Sequence, residues 1–367
     1  MKKNYLFPVI ILATLVMIAA TKPFVSLPNG MIKGTPDIKS ISALTFGNHG
    51  ILFIGDSKGA SVIAVDTKDG KNNDKAVAAD ISNIDEKIAA SLGTQKANIT
   101  ITDMAVNPLS KKIYISVQYT DGTPVLLTVD NGNISNFSLK DINYSSIALN
   151  DVYAEDAKDA RGRSMRVSTI SDMGFYNGKV LVSGLSNKEF SSTLRSIPFP
   201  FTNVQDESSL EIYHASHGRY ETTSPIRTFT TARINNKDYI LASYTCTPLV
   251  LFPMDELKPG MHVKGRTVAE MGAGNTPIDM TILQKGGETF LVMANTSRAM
   301  SKVDYKSIAA FEGTLTERVS GTAGTAFVQL AYTGVQQMDK LDNSHLVMIQ
   351  KQANGTIDLL TANDTNF

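Results

Sequence analysis

Apolar and polar positions form a two-strand unit that recurs along the chain. In each clear copy, two short runs rich in β-branched and aromatic residues flank a turn. The clearest copies are 101–117, 170–184 and 277–294, with turns at Asn107-Pro108, Asn177-Gly178 and Gly286-Gly287. Such runs joined by turn residues predict β-hairpins.

Three weaker copies complete a series of six hairpins. The positions taken as equivalent are Ala43, Asp103, Asp172, Thr228, Asp279 and Gln337. Successive positions lie 51 to 69 residues apart, which suits a four-stranded sheet with its loops. This repeat predicts an all-β fold, a β-propeller of six blades, and a ring of sheets would leave few exposed strand edges. A seventh blade within the 69-residue interval is the alternative.

The two ends of the repeat series predict how the ring closes. The last copy leaves room for about three strands, fewer than a four-stranded blade needs. We therefore expect the segment 31–41 to complete the final blade. Helical periodicity is nearly absent, which disfavours a doubly wound α/β fold. The one helix candidate spans 83–92, ends before Gly93 and is expected to be an insertion in the first blade.

The N-terminus has the pattern of a secretory signal peptide. Lys2 and Lys3 precede an apolar run from Tyr5 to Ala20, which ends in small residues. This run contains Pro8 and is shorter than the roughly 20 residues that cross a bilayer, although an uncleaved anchor helix is the alternative. We expect a signal peptide at 1–20 with cleavage near Ala20, a secreted or periplasmic protein, and one propeller domain over 21–367.

Charge and cysteine content narrow the classes of partner. Lys plus Arg and Asp plus Glu both number 35, so the chain lacks the basic excess of a nucleic-acid binder. With one cysteine the chain has no internal disulfide, and its stability depends on buried apolar area and sheet closure. We expect a monomer that binds a small-molecule or protein ligand on one propeller face, with no membrane span after signal cleavage.

The hairpin pattern resembles NHL-repeat and lactonase-type bacterial propellers. In those families a blade carries an Asp-x-Ala-Val strand, here Asp103-Met104-Ala105-Val106, then a turn and a strand like the run from Leu52 to Asp56. The resemblance covers nearly the whole chain after the signal peptide. It implies the fold more than a function, because these families include enzymes as well as peptide and RNA binders.

Three aspartates at the equivalent repeat position form the first candidate site. The resemblance implies that their strands line the central channel, so Asp103, Asp172 and Asp279 would surround one mouth. Carboxylate oxygens bind hard cations such as calcium. The alternative is that each aspartate accepts hydrogen bonds at the start of its strand, which we favour because Ala43, Thr228 and Gln337 interrupt the ring.

Two histidines three residues apart lie in the densest polar run, Tyr213 to Glu221. His214 and His217 would share a metal ion if the segment turns helically, or flank an anionic ligand with Arg219 if it is extended. No acidic residue accompanies them at the spacing of zinc proteases, so a solvated loop or outer strand is the alternative.

Cys246 is the only cysteine and lies just after a predicted strand. A lone cysteine is most often a small buried apolar residue. The functional alternative is a ligand for copper or haem, with His214 or His217 as its nitrogen partner. A further candidate is the loop 154–166, where Arg161, Arg163 and Arg166 would bind an anion or be solvated.

No nucleophile elbow, phosphate-binding loop, dinucleotide fingerprint or haem attachment motif occurs in the sequence. We therefore expect an exported binding module, with a ligand site near His214, His217, Arg219 and Arg163. The competing hypothesis is a metal-dependent enzyme. It would be either a lactonase-like hydrolase with calcium or zinc held by the channel aspartates, or a copper redox protein using Cys246 and a histidine.

Overall fold

The structure is a computed structural model that describes residues 30–73 and 79–362. The predicted signal peptide and its cleavage position at Ala20 lie outside the described residues. Within these ranges the chain forms six small, mainly antiparallel sheets. No helix in the described ranges is long and apolar enough to cross a bilayer.

The first three sheets, called blades 1 to 3 by the order of their inner strands along the chain, have these strands from the centre outward. Blade 1 consists of β2 (Ala43–Phe46), β3 (Ile51–Asp56), β4 (Ser61–Asp66), β9 (Ile142–Ala148) and β1 (Ile32–Gly34). Blade 2 consists of β5 (Ile99–Val106), β6 (Ile113–Tyr119), β7 (Pro124–Asp130) and β8 (Asn133–Asn136). Blade 3 consists of β10 (Asp172–Tyr176), β11 (Lys179–Leu185), β12 (Ser192–Pro198), β13 (Asp206–His214) and β14 (Arg219–Glu221), with β18 (His262–Lys264) parallel to β13.

The remaining sheets, blades 4 to 6, are ordered in the same way. Blade 4 consists of β15 (Thr228–Ile234), β16 (Lys237–Ser243), β17 (Pro248–Pro253), β19 (Arg266–Glu270) and β23 (Ala323–Gly324). Blade 5 consists of β20 (Pro277–Lys285), β21 (Glu288–Asn295), β22 (Ser301–Asp304) and β24 (Val328–Gln329). Blade 6 consists of β25 (Val335–Lys340), β26 (Leu346–Lys351) and β27 (Ile357–Ala362). The predicted six-bladed propeller is confirmed.

Six apolar clusters hold the ring together, one between each pair of neighbouring blades. Blade 1, for example, packs through Leu52 and Ile54 on Tyr114 of blade 2, and through Phe53 on Met173 of blade 3. The other four clusters join blades 3 and 4, 4 and 5, 5 and 6, and 6 and 2. The second strand of each blade is apolar on both faces because it is covered from both sides.

Chain order and ring order differ at the first two blades. Blade 2 lies between blades 1 and 6, since its inner strand accepts a hydrogen bond from Leu44 of β2 and donates one to Asp339 of β25. The chain then returns to blade 1, where β9 pairs with β4. Blade 3 follows on the other side of blade 1. The ring therefore reads 2, 1, 3, 4, 5, 6.

The expected closure by residues 31–41 is wrong. Ile32–Gly34 instead pairs with β9 as the outermost strand of blade 1. The last blade is completed by Ile81, whose backbone N–H and carbonyl exchange hydrogen bonds of 2.8 and 2.9 Å with Leu359 of β27. The physical reason is the ring order, which makes blade 2, and the segment leading to it, the neighbour of blade 6.

The predicted helix exists but belongs to this closure rather than to blade 1. Helix α1 (Ile84–Ser91) buries Ile84 and Ile88, which lie one turn apart, in the cluster between blades 6 and 2. Asp85 and Glu86 in its first turn favour the helix dipole. A second short helix, α2 (Tyr305–Ala310), follows β22 with Asp304 as its N-cap. Single 3₁₀ turns occur at Asn48–Gly50, Lys96–Asn98 and Arg166–Ser168.

Candidate metal site and the central channel

The inner strands bring the predicted aspartates to the central channel, a cavity of about 220 Å³ lined by Asp103, Asp172 and Asp279. Each carboxylate accepts a hydrogen bond from the backbone of a neighbouring blade. Asp103 accepts one from Leu44 N at 2.6 Å, and Asp172 accepts one from Phe229 N at 2.8 Å. These contacts tie blade 2 to blade 1 and blade 3 to blade 4.

Asp339 is a fourth channel carboxylate that the sequence analysis missed. It accepts hydrogen bonds from Val106 N of blade 2 and from its own neighbour Lys340 N, both at 2.6 Å. The alignment had placed Gln337 at this position because a methionine follows it, as in the other copies. Gln337 instead donates to the Thr102 carbonyl at 3.2 Å.

Burial raises the pKa of all four channel carboxyls, and their mutual repulsion adds to this for most of them. Burial raises the pKa of Asp172 to about 7 and that of Asp339 to about 6, although backbone N–H donors lower both. The pKa values of Asp103 and Asp279 also lie well above the usual range of a carboxyl, for the same first reason. The hydrogen-bonding role, the alternative given for these aspartates, accounts for their contacts.

A tight turn at the end of blade 3 brings the two histidines together. The backbone carbonyl of His214, the last residue of β13, accepts hydrogen bonds from His217 N at 3.1 Å and Gly218 N at 2.8 Å. Gly218 has the left-handed φ of +67° that lets the chain reverse into β14. The imidazole centroids of His214 and His217 lie 3.9 Å apart. The segment thus takes the turned rather than the extended form.

One carboxylate holds both imidazole rings. Glu221 of β14 accepts from Nδ1 of His214 at 2.9 Å on one oxygen and from Nδ1 of His217 at 2.7 Å on the other. Arg219 Nε and Ser224 Oγ add hydrogen bonds of 3.2 Å. Burial alone would raise the pKa of Glu221, but the hydrogen bonds from His214, His217 and Arg219 lower it to about 2.

These contacts decide which ring nitrogens are free. An ionised carboxylate only accepts hydrogen bonds, so Nδ1 of each ring carries the hydrogen that Glu221 receives. In the neutral imidazoles, Nε2 of His214 and of His217 therefore keeps its lone pair. His214 is only 2% exposed, and its Nε2 has no hydrogen-bond partner among the described residues.

Cys246 lies at the third corner of the same site. It occupies the turn between β16 and β17, and its Sγ lies 3.8 Å from Nε2 of His217. Both Cys246 and Thr247 have left-handed backbones, with φ values of 70° and 57°. Such angles are strained in a β-branched residue and persist only where the surroundings hold them. Here Cys246 N donates to the Asn275 carbonyl at 2.7 Å, and Thr247 Oγ1 donates to the Gly272 carbonyl at 2.9 Å.

The three side chains converge on one point. Among the described residues, only His214, His217 and Cys246 place three such ligand atoms within 4.8 Å of one another. His214 is buried, whereas Cys246 is partly exposed and His217 is exposed. The site is therefore closed on the His214 side and open on the side of the other two. The channel aspartates form no such group.

A second buried acid lies behind the histidine turn. Glu270, the last residue of β19, accepts a hydrogen bond from Ser216 N at 3.1 Å, and its other carboxylate oxygen has no partner in the described ranges. Burial raises the pKa of Glu270, which the nearby histidines partly offset. Sequence reasoning missed both Glu221 and Glu270. Glu221 ends the polar run of the histidines, but its position four residues after His217 matched no expected metal spacing.

The predicted arginines separate. Arg219 joins the site through its hydrogen bond to Glu221. Arg163 instead pairs with Asp159 of its own loop, with Nη2 and Oδ2 2.7 Å apart. Arg166 donates to the Lys58 and Tyr153 carbonyls at the edge of blade 1. None of the contacts described for Arg163 links it to the histidines.

No family model and no curated protein matches the sequence of this chain. Solved structures share the fold. A chain of the mitotic checkpoint complex is 8% identical at a TM-score of 0.36, over 98% of this chain and 99% of that one. The PQQ-bound aldose sugar dehydrogenase of Streptomyces coelicolor is 10% identical at a TM-score of 0.32, over 91% and 99%.

The extracellular domain of a hybrid two-component system from B. thetaiotaomicron is 10% identical at a TM-score of 0.39. It covers 89% of this chain, which spans only 40% of that protein. Likenesses at this level concern the fold alone. The resemblance to NHL-repeat and lactonase-type propellers stays a prediction.

Proposed function

We propose that this protein is an exported copper protein, in which one ion is bound by Nε2 of His214, Nε2 of His217 and the Cys246 thiolate. The observation that carries the proposal is the buried Nε2 of His214, which faces two other ligand atoms within 4.8 Å and has no hydrogen-bond partner among the described residues. A buried polar nitrogen without a partner is costly, and a metal ion would satisfy it.

The ligand types favour copper over harder cations. Two imidazoles with one thiolate form the trigonal set of copper electron-transfer sites, and copper(II) also binds nitrogen and sulfur ligands more tightly than zinc does. A soft thiolate stabilises copper(I) as well. The site therefore suits an ion that changes oxidation state, which is the redox alternative of the sequence analysis.

Glu221 supplies the outer support that such sites need. Ligating histidines usually donate their second ring N–H to a carboxylate, which fixes the tautomer and the ring orientation. Here one carboxylate does this for both rings, and Arg219 and Ser224 hold the carboxylate in turn. The strained Cys246 backbone holds the third ligand from a different blade.

Metal analysis of purified protein tests the proposal directly. We expect one copper ion per chain after anaerobic reconstitution, with a thiolate-to-copper(II) absorption band that Cys246→Ser abolishes. His217→Gln should lower the copper affinity at least tenfold, as expected when a ligand is lost. The matched control is His262→Gln, because His262 also contacts a carboxylate, Glu211, but lies outside the site.

The proposal fails if the protein binds no transition metal, or if Cys246→Ser and His217→Gln bind copper as tightly as the parent. Zinc at unit stoichiometry with no copper would point to a hydrolytic site instead, since three nitrogen and sulfur ligands with an open position also suit catalytic zinc. Export is tested separately, by locating the mature protein outside the cytoplasm and sequencing its N-terminus.

A further inference from the structure

A long segment of blade 5 crosses to the metal site. Residues 311–327 connect α2 to β24, and most of the segment lacks regular structure. Leu315 N donates to the Thr267 carbonyl of blade 4 at 2.9 Å, and Val319 N donates to the Ala215 carbonyl in the histidine turn at 2.9 Å. Loops of this length without their own secondary structure are usually functional or disordered, and this one is held by backbone hydrogen bonds.

This crossing places Arg318 on the histidine turn. A Cβ atom built on Gly218 would lie 2.9 to 3.1 Å from Cβ, Cγ and Cδ of Arg318. The arginine stem thus packs on the residue that follows His217. Gly218 is required here both for its left-handed backbone and for this close approach.

Two guanidinium groups are thereby brought to the open side of the site. Arg318 is exposed and makes no ion pair in the described part of the chain. Arg219 uses its Nε for Glu221, and its side chain is 72% exposed. The local carboxylate Glu221 is already engaged by four donors, so it does not neutralise Arg318.

We propose that the open metal position takes a small carboxylate anion, with one carboxylate oxygen on the metal and hydrogen bonds from the guanidinium of Arg318, assisted by Arg219. This inference rests on the proposed metal site. A three-ligand site leaves one position free for an outside ligand. Guanidinium groups bind planar carboxylates through paired N–H donors, and the metal's positive charge adds to the attraction.

Cobalt(II)-loaded protein provides the test, because its visible spectrum responds to a new ligand. We expect acetate to shift the spectrum at saturable concentrations. Arg318→Gln should weaken acetate binding roughly tenfold or more, the effect of losing a hydrogen bond to a charged group. Arg318→Lys should recover part of the affinity. Binding of the neutral ligand imidazole should be the same in the parent and in Arg318→Gln.

The controls separate this inference from the metal site itself. Arg233→Gln is the matched surface control, since Arg233 is paired with Asp238 on blade 4. If cobalt binds but acetate leaves the spectrum unchanged, or if Arg318→Gln binds acetate like the parent, the anion site is overturned while the metal site stands. A parallel loss of imidazole binding would also overturn it, since Arg318 would then only support the fold. If cobalt does not bind, both proposals fail.

Discussion

The central channel and the histidine–cysteine site both gather ionisable side chains from several blades, but they differ in what their polar atoms contact. In the channel, carboxylates such as Asp103 and Asp172 accept backbone N–H donors from neighbouring strands. At the blade 3 turn, Nε2 of His214 faces His217 and Cys246 with no donor or acceptor among the described residues. Satisfied polar groups suit a structural role, whereas unpartnered ones that converge suit a ligand.

The burial of the two regions leads to the same distinction. The channel carboxylates connect blades and have raised pKa values, so they share protons rather than attract a cation. The charged group of the metal site, Glu221, keeps a lowered pKa because it receives hydrogen bonds from both histidines. A group of neutral donors around one fixed carboxylate is prepared for a metal ion in a way that the channel is not.

The comparison is tested most strongly by the response of protein stability to metals. A ligand that binds only the native state at about 100 times its Kd adds about 2.7 kcal/mol to the free energy of unfolding. We expect copper(I) to raise the Tm by several degrees, and calcium to leave it unchanged. Differential scanning calorimetry under anaerobic conditions measures both. A calcium-dependent rise that Asp103→Asn removes would assign the metal to the channel and reverse the comparison.

The role of Glu221 gives the next largest effect. Glutamine at this position has one acceptor oxygen, so it can receive Nδ1–H from only one ring. Its amide group would donate to Nδ1 of the other ring and move that ring's hydrogen onto Nε2, the metal-binding nitrogen. We expect Glu221→Gln to lower the metal affinity 10- to 100-fold, as loss of such outer support does. Competition with a chelator of known affinity measures the change.

The control for this variant is Glu211→Gln. Glu211 likewise accepts from a histidine, His262, at 3.0 Å, but on the outer strands of blade 3. It should leave the metal affinity unchanged. Equal affinities of Glu221→Gln and the parent would show that the histidine tautomers do not depend on this carboxylate.

The sequence was informative where structure depends on local pattern. Alternating apolar residues and turns such as Asn177-Gly178 predicted the hairpins, because a hairpin forms between adjacent segments. The same pattern could not reveal that β4 pairs with β9, more than 70 residues later, and so it missed the exchanged order of blades 1 and 2. Closure by Ile81 follows from that order and was missed for the same reason.

The site was partly predictable. Spacing brought His214 and His217 to notice, and the scarcity of cysteine drew attention to Cys246. The supporting residues were not found because their role depends on geometry. Glu221 acts through strand pairing with Ile212, and Arg318 reaches the turn only because a segment of blade 5 crosses blade 4.

The pH dependence of stability gives the smallest expected effect and tests the channel. Asp172 has a pKa of about 7 in the folded chain, against about 4 for an ordinary aspartate. Between these values the native state binds more protons than the unfolded state, so the free energy of unfolding falls as the pH rises. Glu221 acts in the opposite sense, but only below about pH 4.5, where its unfolded carboxyl begins to take up protons.

For metal-free protein we therefore expect a Tm that is a few degrees higher at pH 5 than at pH 7.5, with Asp172→Asn reducing the difference. Asp141→Asn is the control, because Asp141 is 76% exposed and pairs with Lys33 on the outer edge of blade 1. The comparison is made on the slope of Tm against pH, since Asp172→Asn also weakens the hydrogen bonds to Phe229 N and Met173 N. A slope unchanged in Asp172→Asn would mean that this carboxyl is ionised at pH 5. The channel would then hold a fixed negative charge, and its capacity for cations would have to be reconsidered.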